Sequence, residues 1–165
     1  MIVSNTTPLS SLIRIDRHGL IPQLYPKIYI PEAVAEELDR GKYAVGEWRD
    51  KVVDFVEIID NPKPSSLTRI LAIEVDPGEA AAIALATERS ADLLIIDDLA
   101  GRRAAQRVGL QLTGTVGLIL SAAEAGLVIN PFVVIEELRT RGGLWLSDTF
   151  ISKLQQAYFD SKKQP

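Results

Sequence analysis

The chain has 165 residues, 47% of them hydrophobic and 24% charged, the length and balance of one folded domain rather than of a disordered chain. It has no cysteine and a single histidine, His18, which excludes disulfides, thiol nucleophiles, thiolate zinc sites and paired-histidine metal motifs. A net charge of −4 from 18 basic and 22 acidic residues gives no overall positive field, yet it is compatible with metal-binding carboxylates beside a local basic patch.

In chain order, Ile2-Val3-Ser4 is a short β-prone start that runs into the cap and turn residues Asn5-Thr6-Thr7-Pro8. A helix beginning near Pro8 follows, with apolar Leu9, Leu12, Ile13 and Ile15. His18 falls in the polar turn Asp16-Arg17-His18-Gly19 and reads as a solvated residue. A second strand, Lys27-Ile28-Tyr29-Ile30, stops at Pro31, which opens a helix through Ala33, Val34 and Leu38 to about Gly41. The segment Val52 to Ile59 is strand-like, and Asn61-Pro62-Lys63-Pro64 is a loop.

Asp76-Pro77-Gly78-Glu79 then gives the clearest boundary, a cap residue and a proline before an alanine-rich helix that runs to about Arg89. Ala91 to Ile96 is a buried-strand run, followed by Asp97-Asp98 and a helix carrying Arg102, Arg103 and Arg107. Leu110 to Thr113 is a further strand, with a helix from Val116 to about Ala125. Two more helices span about Phe132 to Arg141 and Ser147 to Phe159, and residues 160–165 read as a polar tail on a single domain of residues 1–159. Strands alternating with helices imply an α/β fold with a central parallel sheet between helical layers.

No segment approaches the about 18 apolar residues of a membrane span, and Met1 to Asn5 has no basic leader, so cytoplasm is the expected location. In open parallel sheets ligands bind beyond the carboxyl ends of the strands, which singles out Ser4-Asn5-Thr6-Thr7, Asp97-Asp98 and Thr113-Gly114-Thr115. None of them carries a glycine-rich phosphate loop, so carboxylate, hydroxyl and amide chemistry is what these ends offer.

Four blocks in order, Val3 to Leu9, Ile30 to Leu38, Asp76 to Ala86 and Leu94 to Arg103, resemble a PIN-domain protein. The likeness is to short standalone prokaryotic PIN proteins, a group that includes VapC-type toxins of toxin–antitoxin pairs, and it covers about residues 2–126. It implies a three-layer α/β/α fold with a parallel sheet, and hydrolysis of RNA phosphodiesters assisted by Mg²⁺ or Mn²⁺. Matched position by position, Glu37, Glu79 and Asp98 stand where the family has metal-site acids, with Asp97 as the alternative to Asp98. Thr6 and Thr115 match hydroxyl residues that line the site. Single-stranded RNA and an antitoxin protein are the implied partners.

The departure is Asn5, where the family usually has an aspartate. An amide oxygen can coordinate a metal or orient a water but brings no charge, and one unit charge pair at 4 Å is worth ~4 kcal/mol at an effective dielectric of 20. The alternative reading is therefore a catalytically weakened PIN fold that binds RNA or a protein. Each acid also has a plainer explanation: Asp76 and Glu79 fit a capping box, Asp98 can cap the next helix, and Glu36 with Glu37 lies in an acidic run. Arg102, Arg103 and Arg107 are candidate phosphate contacts, and Tyr25, Tyr29, Tyr43 and Trp48 candidate stacking surfaces for bases. The stripes Leu9-Leu12-Ile13-Ile15 and Phe132-Val133-Ile135-Leu138 suit the core equally with a contact to a second copy, as in a homodimer, or to an antitoxin.

Overall fold

The computed structural model describes residues 1–40 and 44–163; Gly41, the anticipated helix end, and Tyr43 lie outside the described residues. Strands β1 (Ile2–Ser4), β2 (Ile28–Pro31), β3 (Val56–Ile59), β4 (Leu93–Ile95) and β5 (Leu112–Thr113) form one parallel sheet in the order β3-β2-β1-β4-β5. Between the first four strands lie α1 (Thr6–Arg14), α2 (Leu20–Leu24), α3 (Glu32–Asp39), α4 (Trp48–Val52), α5 (Ser66–Glu74) and α6 (Pro77–Glu88). The rest is α7 (Leu99–Arg107), α8 (Thr115–Glu124), α9 (Pro131–Thr140) and α10 (Asp148–Lys163). The expected three-layer α/β/α architecture is what the chain adopts.

Strand order reverses where β1 meets β4. There Ile2, Val3 and Ser4 pair with Leu93, Leu94 and Ile95, and the Asn5 N–H extends the ladder to the Ile95 carbonyl at 3.0 Å. Sheets of this kind open a crevice at that reversal, outside the strand ends. Val3, Leu94, Ile95 and Ile96 are fully buried, as expected of strands covered on both faces. Helix α6 touches β1, β2 and β4 as well as α3, α5 and α7. Its alanines let those neighbours approach, and Ala80, Ala82 to Ala86 are buried on every side of it.

Three stretches depart from the sequence reading. The strand expected from Val52 begins only at Val56, because Trp48 and Val52, four apart on α4, turn one helical face into the core. Trp48 is held there by donating from Nε1 to Asp39 at 2.9 Å, which removes it as a stacking surface. Helices α2 and α5 were not anticipated; Ser65 caps α5 in a box with Thr68, where an acid or amide is the usual partner. His18 is half-buried rather than solvated, and its Nδ1 has no hydrogen-bond partner among the described residues. Burial, with Lys51 nearby, lowers its pKa. Helix α10 continues through Asp160 to Lys163, where a tail had been expected.

Both apolar stripes are largely core. Leu9, Leu12, Ile13 and Ile15 are buried, as are Ile135 and Leu138, and only Val133 is more than half exposed. They therefore leave only Val133 and part of Phe132 as apolar surface for contact with a second copy. Among the described residues no helix is long and apolar enough to cross a membrane.

Ile83, fully buried on α6, tests the central place of that helix. Ile83→Ala should cost about 2–5 kcal/mol in urea unfolding; a loss below about 1 kcal/mol would show that α6 repacks freely.

Candidate active site

The site is built from the ends of β1 and β4 and the first turns of α1, α6 and α7. Asn5 leaves β1 at the N-cap position of α1 but makes no side-chain cap bond. It is 1% exposed, and its Oδ1 has no hydrogen-bond partner among the described residues. A buried amide oxygen without a donor costs roughly 1–3 kcal/mol, so it is a place where a cation, water or substrate donor would be bound favourably. Thr6, also buried, donates its hydroxyl to Oε2 of Glu37 on α3. The other oxygen of Glu37, Oε1, accepts the Gly78 N–H at 2.8 Å. Glu37 thus ties the start of α1 to the start of α6, and a Cβ at Gly78 would collide with its carboxylate.

Glu79, in the first turn of α6, is 7% exposed. Its carboxylate accepts the Asp76 backbone N–H, one half of a capping box, while the Asp76 side chain makes no cap bond. Burial, then Asp98, Asp76 and Glu37, push the Glu79 carboxyl up to about 7. The charged groups that act on it are all carboxylates. Gly101 on α7 comes close enough that a Cβ there would lie 3.4 Å from a Glu79 carboxylate oxygen. Asp98 is exposed and caps α7, with Oδ1 accepting from Ala100 N at 2.8 Å and Gly101 N at 3.1 Å. Asp76, Glu79 and Asp98 line one open cavity of about 310 Å³.

Asp97 and Asp98 separate cleanly. Asp97 accepts the Thr115 N–H at 2.8 Å on Oδ1 and the Thr115 hydroxyl at 2.5 Å on Oδ2. Burial raises its pKa against those hydrogen bonds and Arg102. Arg102 itself donates to the Ile96 carbonyl at 2.9 Å. Asp97 and Thr115, read from the sequence as an alternative ligand and a phosphate contact, are thus bonded to each other and fasten the end of β4 to α8, while Arg102, also read as a phosphate contact, ties α7 to the Ile96 carbonyl. Asp98 remains with Glu79. Arg107 pairs with Glu74, Arg103 is exposed, and Glu36 is exposed on α3. Tyr29 lines a different cavity, beside Glu57 and Arg89. The sequence reading missed the donor and close-packing roles of Gly78 and Gly101, for which the only signal is the glycine beside each acid-bearing turn.

The donors suit a hard divalent cation: they are all oxygen, one is an unpartnered buried amide, and Glu79 is pressed only by like charges. Among the described residues no three Asp, Glu or His side chains are grouped closely enough to hold an ion by themselves. A cation in this crevice would therefore draw on the Asn5 oxygen, water and phosphate as well as on carboxylates.

The raised Glu79 pKa makes stability depend on pH. The folded protein binds this proton more tightly than the unfolded chain, so the benefit is complete below about 4.5, the unfolded value, and is lost as pH rises through about 7. Glu79→Gln should raise Tm at pH 8 relative to the wild type, and the gain should close as pH falls to about 4. Equal Tm values across that range would contradict the burial of a charged Glu79.

No curated protein was found to match this chain. The family model for DUF3368, a PIN domain, matches residues 1–158. PIN domains have a nuclease-type fold and generally use divalent metals. A match over nearly the whole chain, on a parallel α/β/α fold with acids at the strand-order reversal, establishes that the chain belongs to the PIN-domain family.

Proposed function

We propose that this chain is a Mg²⁺- or Mn²⁺-dependent endoribonuclease that acts on single-stranded RNA in the cytoplasm as one PIN domain over residues 1–159. The observation that carries the reading is Glu79, buried and acted on by the carboxylates of Asp98, Asp76 and Glu37, together with a buried Asn5 Oδ1 at the end of β1 that has no partner among the described residues. Glu79, Asp98 and the Asn5 oxygen would hold the ion, with Glu37 close behind them. A bound divalent cation lowers the pKa of water and offsets charge at the scissile phosphate. Glu37 receives the Thr6 hydroxyl and the Gly78 N–H, which fixes both at the crevice wall. Asp98 Oδ1 accepts two backbone amides, which fix the orientation of its carboxylate at the start of α7.

Its resemblance to standalone prokaryotic PIN proteins supports a role as the toxin of a toxin–antitoxin pair. A second reading rests on Asn5: with an amide where the family usually has a carboxylate, the fold binds RNA or a protein and cleaves weakly.

Cleavage of single-stranded RNA in Mn²⁺ separates these readings. Each unit charge pair at 4 Å is worth about 4 kcal/mol at an effective dielectric of 20 and the ion carries two charges, so Glu79→Gln or Asp98→Asn should slow cleavage by about 1000-fold or more. Wild-type activity abolished by either change supports the nuclease. RNA binding without cleavage, with activity appearing in Asn5→Asp, supports the weakened fold. Failure of both the wild type and Asn5→Asp to bind or cleave RNA would reject both.

A further inference from the structure

The segment after α9 displays the largest apolar side chain on the surface, beside the acids. Gly142 N–H donates to the Glu137 carbonyl at 3.0 Å and Leu144 N–H to the Leu138 carbonyl at 3.1 Å. A Cβ at Gly142 would sit 2.8 Å from the Leu138 carbonyl oxygen, and Gly143 has φ +75°, so this tight turn depends on its two glycines. Leu144 is buried at 8% exposure and pins the chain to the core, whereas Trp145, the next residue, is 86% exposed. The indole is held out by an anchored backbone.

Trp145 borders a cavity of about 550 Å³ that it shares with Leu99, Phe150, Thr7 and the two aspartates, Asp97 and Asp98. The cavity adjoins the candidate active site at Asp98, which lines the Glu79 cavity as well. Leu99 and Phe150 are 61% and 44% exposed, giving the indole apolar company. Arg103 lies four residues after Leu99, on the same face of α7. It is exposed and makes no ion pair or hydrogen bond among the described residues. An exposed aromatic face, with an unpaired guanidinium one helical turn along α7 from Leu99, suits an unpaired nucleobase and its phosphate. A protein partner would explain the indole, but it gives no reason for the cavity to run on to Asp98.

We infer that Trp145 is the stacking platform of a nucleobase subsite, where a base of single-stranded RNA lies on the indole, its phosphate faces Arg103, and the strand continues toward Asp98. The inference rests on the RNA-cleaving reading above and names the surface that holds the substrate next to the acids. It makes Trp145 and Arg103 positioning residues. Stacking does not depend on base-edge hydrogen bonds, so adenine, with its larger face, should bind better than uracil.

The chain has two tryptophans, and Trp48 is buried, so a bound base should act mainly on Trp145 fluorescence. Short oligoadenylate, added in Ca²⁺ to limit turnover, is expected to quench emission saturably, and an abasic oligomer of equal length is not. Trp145→Ala should weaken oligoadenylate binding by about tenfold and raise KM more than it lowers kcat. Trp145→Phe should keep most of the affinity while losing the fluorescence change. Because the side chain is exposed, neither change should lower Tm, which a melting curve checks. If RNA is bound and cleaved while emission and the Trp145→Ala affinity stay unchanged, the subsite is wrong and the nuclease reading survives. If Trp145→Ala converts a dimer to a monomer in sedimentation without altering RNA affinity, the surface is a self-association site and the inference fails. If oligoadenylate neither binds nor is cleaved, in Ca²⁺ or Mn²⁺, both readings fall together.

Discussion

The pairing of β1 with β4 is the constraint on which the rest of the molecule depends. It reverses the strand order, extends the ladder by one bond to the Asn5 N–H, and sets the ends of two buried strands side by side. Asn5 and Asp98 lie at that opening because each follows its strand by only a few residues. Helix α6 supplies the third side. Its alanines bring its first turn close enough to the sheet for Gly78 to reach Glu37 and for Glu79 to be buried. Hydrophobic packing of this one helix thus places polar groups that would otherwise be driven to the surface.

The electrostatics of the crevice follow from that placement. Four carboxylates, on Glu37, Asp76, Glu79 and Asp98, act within one small region, and the burial of Glu79 raises its pKa before any neighbour is considered. Backbone amides relieve part of the cost, since Asp98 accepts two, Glu37 accepts one and Glu79 accepts another. Asp97 accepts both the N–H and the hydroxyl of Thr115, with Arg102 nearby. Two adjacent aspartates therefore differ in their partners: Asp97 ties the end of β4 to α8 and Asp98 caps α7, while both line the cavity beside Trp145. Against this acidity, Asn5 brings an uncharged amide oxygen where a carboxylate would add a further negative charge. That reduces carboxylate repulsion in the absence of a cation and weakens attraction in its presence.

Much of this was legible in the sequence. Alternation of apolar strands with helices gave the parallel sheet, and the Asp-Pro-Gly-Glu start of α6 marked a boundary correct to within a residue or so. Strand-end placement pointed to Asn5, Thr6 and the Asp97-Asp98 pair. What escaped depends on direction rather than position. A run of valines around Val52 carries the same β propensity whether or not Trp48 turns that stretch into helix, because burial overrides propensity there. Adjacent aspartates are equivalent in one dimension, and only the site of Thr115 in space separates them. Trp145 has no local signature either, since its exposure follows from the burial of Leu144 beside it and from a turn made by two glycines.

The central claim is that the acids at the strand-order reversal, together with the Asn5 oxygen, form a divalent-cation site. Calorimetric titration of the apo protein with Mn²⁺ at pH 7.5 tests it without RNA. A saturable heat in the wild type that is lost in Asp98→Asn, retained in Asp97→Asn variants that remain folded, and strengthened in Asn5→Asp is the predicted result. No saturable heat in the wild type or Asn5→Asp, or identical binding in the wild type and Asp98→Asn, would contradict it.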